Sequence, residues 1–127
     1  MKAALRWFVA VFGLVCVGIA LTHIFVGPSS IPGSVPVNAT MDSEDRFYAT
    51  LFLGFGAAHI WCARDLAARG RILLAMQAVF FLGGLARLIS WFQVGPPYAM
   101  FVWLGGIELL LPLLLWLWLR RAYPPVI

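Results

Sequence analysis

The sequence predicts an all-α polytopic membrane protein: a bundle of four transmembrane helices, set as two hairpins, in one integral membrane domain over residues 1–127. Three observations carry this. Hydrophobic residues make up 63% of the chain and charged residues 11%, against about 45–50% and about 25% in soluble domains. The apolar residues fall into four blocks, each near the length of about 20 residues that crosses the hydrocarbon core. Lys and Arg gather in the connections on one side of these blocks, as they do on the cytoplasmic face of membrane proteins.

The first helix is expected over 5–26. Lys2 and Arg6 stand ahead of its apolar run in the manner of a signal peptide, but a signal core is about 7–15 apolar residues followed by a small-residue cleavage site. Here the apolar run continues to Val26 and ends in Gly27-Pro28, so the helix is read as retained. Residues 27–43, rich in Pro, Gly and Ser, deny helix and strand continuity and form an extracytoplasmic loop. Ser43, followed by Glu44 and Asp45, is a candidate N-cap with acids in the first helical turn. The second helix is placed at 46–62, the third at 71–92 and the fourth at 98–119.

Lys2, Arg6, Arg64, Arg69, Arg71, Arg120 and Arg121 lie on one side of this arrangement, and Arg46 on the other among Asp42, Glu44 and Asp45. Both termini are therefore expected in the cytoplasm. Trp7, Trp61, Trp116 and Trp118 mark the inner interface; Phe47, Tyr48, Trp91, Phe92 and Tyr98 mark the outer one, as an aromatic belt requires. The net charge of +4 is a topology signal and not a nucleic-acid surface, since the bases form no interleaved basic and aromatic patch. Val26-Gly27-Pro28 and Val94-Gly95-Pro96 close the first helix of each hairpin in the same way.

Arg87 and Glu108 stand inside the third and fourth apolar blocks, and an ionisable group at membrane depth is a functional-site candidate. At about 1.5 Å per residue, Arg87 lies roughly 7 Å from the outer end of its helix and Glu108 roughly 15 Å into its own. His23 near the outer end of the first helix and Arg46 at the head of the second bring an ionisable group from each helix toward the same layer. Gln77, Phe80, Gly84, Arg87 and Trp91 share one helical face, as do Gly105, Glu108 and Pro112. Gly83-Gly84 and Gly105-Gly106 would let these two helices approach closely, and Gly54-Phe55-Gly56 reads as helix packing.

Two readings of the charges follow. In the first, Arg87 and Glu108 form a structural ion pair, the usual way to keep charge in a bilayer. In the second, the pair is kept and Arg46 has positive charge to spare, so an anionic amphiphile enters from outside. Its head would sit near Arg46 and Arg87 and its chain along Phe52, Phe55 and Phe80. Arg46, Arg87, Glu108, His23, Tyr48 and Trp91 are the candidate ligand-binding residues. His59 is read as an interfacial residue. Cys16, Cys62 and the two histidines show no ligand pair at short helical spacing, so no metal and no cofactor is expected. No phosphate-binding glycine loop, nucleophile elbow or redox cysteine pair is present.

The segments Asp42-Ser43-Glu44-Asp45-Arg46-Phe47-Tyr48, Gly83-Gly84-Leu85-Ala86-Arg87-Leu88-Ile89-Ser90 and Gly95-Pro96, with Glu108, resemble the small bacterial membrane proteins grouped as domain of unknown function 4345. The resemblance covers nearly the whole chain. It implies a four-helix protein of the bacterial inner membrane and marks Arg46, Arg87 and Glu108 as motif positions, without implying an activity.

The function favoured by these residues is a non-catalytic binding or accessory protein whose outward polar pocket takes an anionic amphiphile or lipid, a partner membrane protein, or a second copy of the chain. The alternative is a membrane-embedded enzyme acting on a hydrophobic substrate by proton transfer or isomerisation, with Glu108 and His23 as the catalytic pair. The bilayer is the one partner that composition itself demands.

Overall fold

The computed structural model describes residues 1–124. Four long helices follow one another: α1 (Lys2–Val26), α2 (Ala39–Arg64), α3 (Leu66–Val94) and α4 (Ala99–Ala122), with one 3₁₀ turn (Pro28–Ser30) between α1 and α2. No strand occurs among the described residues. The chain divides into two compact units, one of Ala3–Arg64 and one that begins at Asp65 and takes in Met1–Lys2. The first holds α1 and α2, the second α3 and α4.

Helices α1, α3 and α4 are long and apolar enough to cross a membrane. Their surfaces agree. In α1 the buried residues Leu5, Val9, Gly13, Cys16 and Ala20 recur every three or four positions, while Trp7, Val11, Leu14, Val15 and Phe25 are exposed. In α4 Leu110, Leu113 and Leu114 are exposed behind the buried Pro112, Leu115 and Leu119. A helix apolar on every side has no face for water, and lipid is the solvent it fits. Helix α2 differs at its head, where Asp42, Glu44, Asp45 and Arg46 occupy two turns.

Both connections are tighter than the sequence predicts. Helix α2 starts at Ala39, seven residues before the expected 46. Its N-cap is Asn38 and not Ser43: Met41 N donates to Asn38 Oδ1 at 2.9 Å, and Asp42 N to the Asn38 carbonyl at 3.0 Å. Such a cap satisfies an otherwise orphan donor and contributes about 1 kcal/mol, which draws the polar segment 39–45 into the helix. Between α2 and α3 only Asp65 intervenes, where a loop to residue 70 was expected. The Asp65 carboxylate accepts from Ala68 N at 3.1 Å, so α3 is capped at once and runs from Leu66.

The turns after α1 and α3 repeat one device. Gly27 has φ 79° and donates its N–H to the His23 carbonyl at 2.8 Å; Gly95 has φ 113° and donates to the Trp91 carbonyl at 2.9 Å. A glycine with positive φ closes a helix through a bond to the carbonyl four residues back without a Cβ penalty. The matching Val-Gly-Pro triplets thus end α1 and α3 alike.

In the α1 and α2 unit, packing centres on Gly13 and Gly56. The Phe12 and Phe55 rings are set edge to face at 6.3 Å. His59 lies against both, 5.0 Å from Phe12 and 4.3 Å from Phe55. His59 is buried and its Nδ1 donates to the Phe55 carbonyl at 2.8 Å, so it is a core residue and not an interfacial one. The sequence signal is its place three residues after Gly56, on the face that meets α1.

Candidate functional site

In the α3 and α4 unit, Arg87 Nε donates to Glu108 Oε2 at 2.6 Å. The residues that permit this are small. A Cβ on Gly84 would lie 2.9 Å from Leu109 and 3.1 Å from the Glu108 Cβ, and one on Gly105 would lie 3.6 Å from Arg87 Cδ. Gly84 lets α4 approach with Glu108 on the contact face, and Gly105 gives the Arg87 stem room to cross. Gly83 and Gly106 have open space around them, so one glycine of each doublet makes the approach.

The pair is unequally covered: the Glu108 side chain is 10% exposed and that of Arg87 42%. No residue of α3 beyond Gly84 is buried, and none of α4 ahead of Glu108. The guanidinium stands 5.6 Å from the centre of the Phe101 ring, a cation–π distance. Only Nε is committed to the carboxylate, and the two terminal amino groups form no hydrogen bond within the described residues. A guanidinium has five N–H donors in a planar fork, so the edge formed by Nη1 and Nη2 is available to a second oxyanion. Pro112, four residues after Glu108, lacks the N–H that would bond the Glu108 carbonyl, which leaves a backbone acceptor beside the pair. One turn further in, Phe81, Leu82, Pro112, Leu113 and Trp116 line an apolar groove of about 390 Å³.

Two further pairs form in the α1 and α2 unit. His23 Nδ1 lies 3.0 and 3.1 Å from the two Asp45 oxygens. A carboxylate only accepts, so the proton is on Nδ1. Arg46 is held by a fork: Nε donates to Asp42 Oδ2 at 2.7 Å, Nη2 to Asp42 Oδ1 at 3.1 Å, and Nη1 to the Ile24 carbonyl at 2.6 Å. Arg46 in turn holds the Asp42 carboxyl below its ordinary range, chiefly by hydrogen bonding, against an opposing desolvation, with a smaller contribution from charge attraction. The expectation that Arg46 has charge to spare is thereby corrected: Asp42 lies at i−4, one helical turn away on the same face, and its carboxylate takes up the guanidinium.

The remaining candidates are placed as follows. Tyr48 is exposed at the head of α2, with its ring 5.6 Å from that of Phe47. Trp91 is exposed one turn beyond Arg87, and its carbonyl accepts from Gly95. Phe52 and Phe55 stack on each other at 5.7 Å within α2. His23 and Arg46 thus belong to one unit, Arg87 and Glu108 to the other. Asp42 and Asp45 stand beside Arg46 in the sequence reading, but neither is taken there as a fixed partner. Their signal was present in the spacing of Asp42 and Arg46, whereas the pairing of His23 with Asp45 spans a loop and left no local trace. Among the described residues no group of His, Cys, Asp and Glu is placed to hold a metal.

The sequence model of one family, described as domain of unknown function (DUF4345), matches residues 4–119. No curated protein and no solved structure matches the chain significantly.

Proposed function

The chain belongs to the DUF4345 family, whose description specifies no activity, and from the site itself we propose that it is a non-catalytic binding protein of the bacterial inner membrane that receives an anionic amphiphile at Arg87. In this reading all four helices cross the membrane, with both termini in the cytoplasm and the 27–38 segment outside. The basic residues of the termini and of the α2 and α3 connection support that orientation.

The observation that carries the proposal is the one-point attachment of Arg87 to Glu108. A pair built only to neutralise charge gains most from the two parallel bonds that a guanidinium and a carboxylate can form. Here the carboxylate engages only the base of the fork, and the rest of the half-exposed guanidinium stays available. The negative head of the amphiphile bonds that edge, and its chain follows the apolar groove toward Trp116. Glu108 orients Arg87 and offsets its charge when the site is empty.

Oleate is a suitable probe. Added to the protein in neutral detergent, it raises the melting temperature, as any ligand selective for the folded state does, while phosphatidylcholine does not. Arg87→Gln alone strands a carboxylate, so the test variant is Arg87→Gln with Glu108→Gln, which removes both charges together. Equal stabilisation of wild type and double variant by oleate would overturn the proposal.

A further inference from the structure

The α1 and α2 unit carries a second basic site, at the end opposite the 27–38 segment. Arg6 Nε donates to the Ala63 carbonyl at 3.1 Å. That carbonyl is among the last four of α2, which have no partner within the helix, and the bond draws Arg6 against the α2 terminus. As with Arg87, only the base of the fork is used. Arg64 follows at once, and among the described residues its guanidinium has no ion-pair partner. Both arginines are exposed, and together with Trp7, Ala3, Ala10 and Ile60 they line a crevice of about 330 Å³. Trp7 is 72% exposed, the placement of an indole at the level of lipid headgroups.

The chemistry of this crevice is specific. Two guanidinium groups line the one crevice, and their N–H donors suit the oxygens of a phosphate. The first turn of α1, which includes Ala3, brings the positive end of a helix dipole, while the Arg6 bond to the Ala63 carbonyl offsets the negative end of α2. Below the charges the walls are Ala10 and Ile60, which suit hydrocarbon. A phosphate head continuous with an apolar body matches both halves of the crevice; a soluble phosphate matches only one.

We infer that the crevice between Arg6 and Arg64 is a binding site for the phosphodiester head of an anionic phospholipid, with the glycerol and upper chain against Trp7 and Ile60. It is independent of the Arg87 site. It ties α1 and α2 to the leaflet through a lipid that bridges them.

Native mass spectrometry in neutral detergent, with phosphatidylglycerol, phosphatidylcholine and inorganic phosphate each titrated in turn, tests this. Phosphatidylglycerol should form a discrete adduct, and Arg64→Gln should weaken it about tenfold, as expected for a lost charge-assisted hydrogen bond. Arg6→Gln also strips the Ala63 carbonyl of its partner, so Arg64→Gln is the cleaner variant. The adduct should persist in Arg87→Gln with Glu108→Gln, which separates this site from the other. Equal adducts with phosphatidylcholine, or unchanged binding in Arg64→Gln, would overturn the inference. So would displacement of phosphatidylglycerol by equimolar inorganic phosphate, since the ligand would then be a free anion.

Discussion

Gly13 and Gly56 face each other backbone to backbone: a Cβ on Gly13 would lie 2.7 Å from the Gly56 carbonyl oxygen, and a Cβ on Gly56 would lie 2.7 Å from the Gly13 carbonyl oxygen. The contact is reciprocal, so either side chain would push the helices apart. Close approach at small residues is how helices associate in lipid, where no hydrophobic effect drives them together. Gly13→Ala and Gly56→Ala should each destabilise the protein by about 1–3 kcal/mol, the usual cost of overpacking. Gly54, two residues away with open space around it, is the control. If Gly54→Ala lowered the melting temperature in detergent as much as Gly13→Ala, close packing would not be what holds α1 to α2.

Gly27 combines two constraints that Gly95 separates. Both have positive φ, so an alanine at either is strained by roughly 1–2 kcal/mol. A Cβ on Gly27 would in addition lie 2.7 Å from Arg46 Nη2 and 2.9 Å from Asp42 Oδ1, whereas one on Gly95 would meet nothing within 4 Å. Gly27→Ala should therefore cost more than Gly95→Ala, and the excess should shrink when Asp42→Asn has already loosened the fork. Equal losses in thermal denaturation would show that the fork does not press on the turn.

Arg87 and Glu108 should behave as a coupled pair. Removing one partner leaves a covered charge and costs about 3–5 kcal/mol, whereas replacing both is near neutral. Arg87→Ala is expected to be more damaging than Arg87→Ala with Glu108→Gln. A double-mutant cycle of melting temperatures in detergent measures this, and strictly additive losses would mean that the 2.6 Å bond contributes nothing.

The orientation proposed for the chain can be read by labelling. A cysteine placed at Ser34, in a variant with Cys16 and Cys62 replaced, should react with a membrane-impermeant maleimide in intact cells. Reaction only after the cytoplasmic side is opened would invert the topology.

The sequence by itself determined the helical class, the order of four helices and the meeting of Arg87 with Glu108; of the four spans it predicts, three are helices apolar enough to cross a membrane. These depend on length, composition and the three-and-four spacing of one face, which are properties of short stretches of chain. Glycine followed by proline marked the ends of α1 and α3 for the same local reason. Tertiary structure decided what depends on competition between partners. Asn38 rather than Ser43 caps α2, because either side chain could serve and only the fold selects the start. Arg46 is spent on Asp42 and the Ile24 carbonyl, His23 is bound to Asp45, and His59 is enclosed by Phe12 and Phe55. Each of these depends on a rotamer or on a neighbour from another helix. Periodicity tells which face a side chain occupies; only the packed neighbour decides whether its charge or hydrogen bond is already taken.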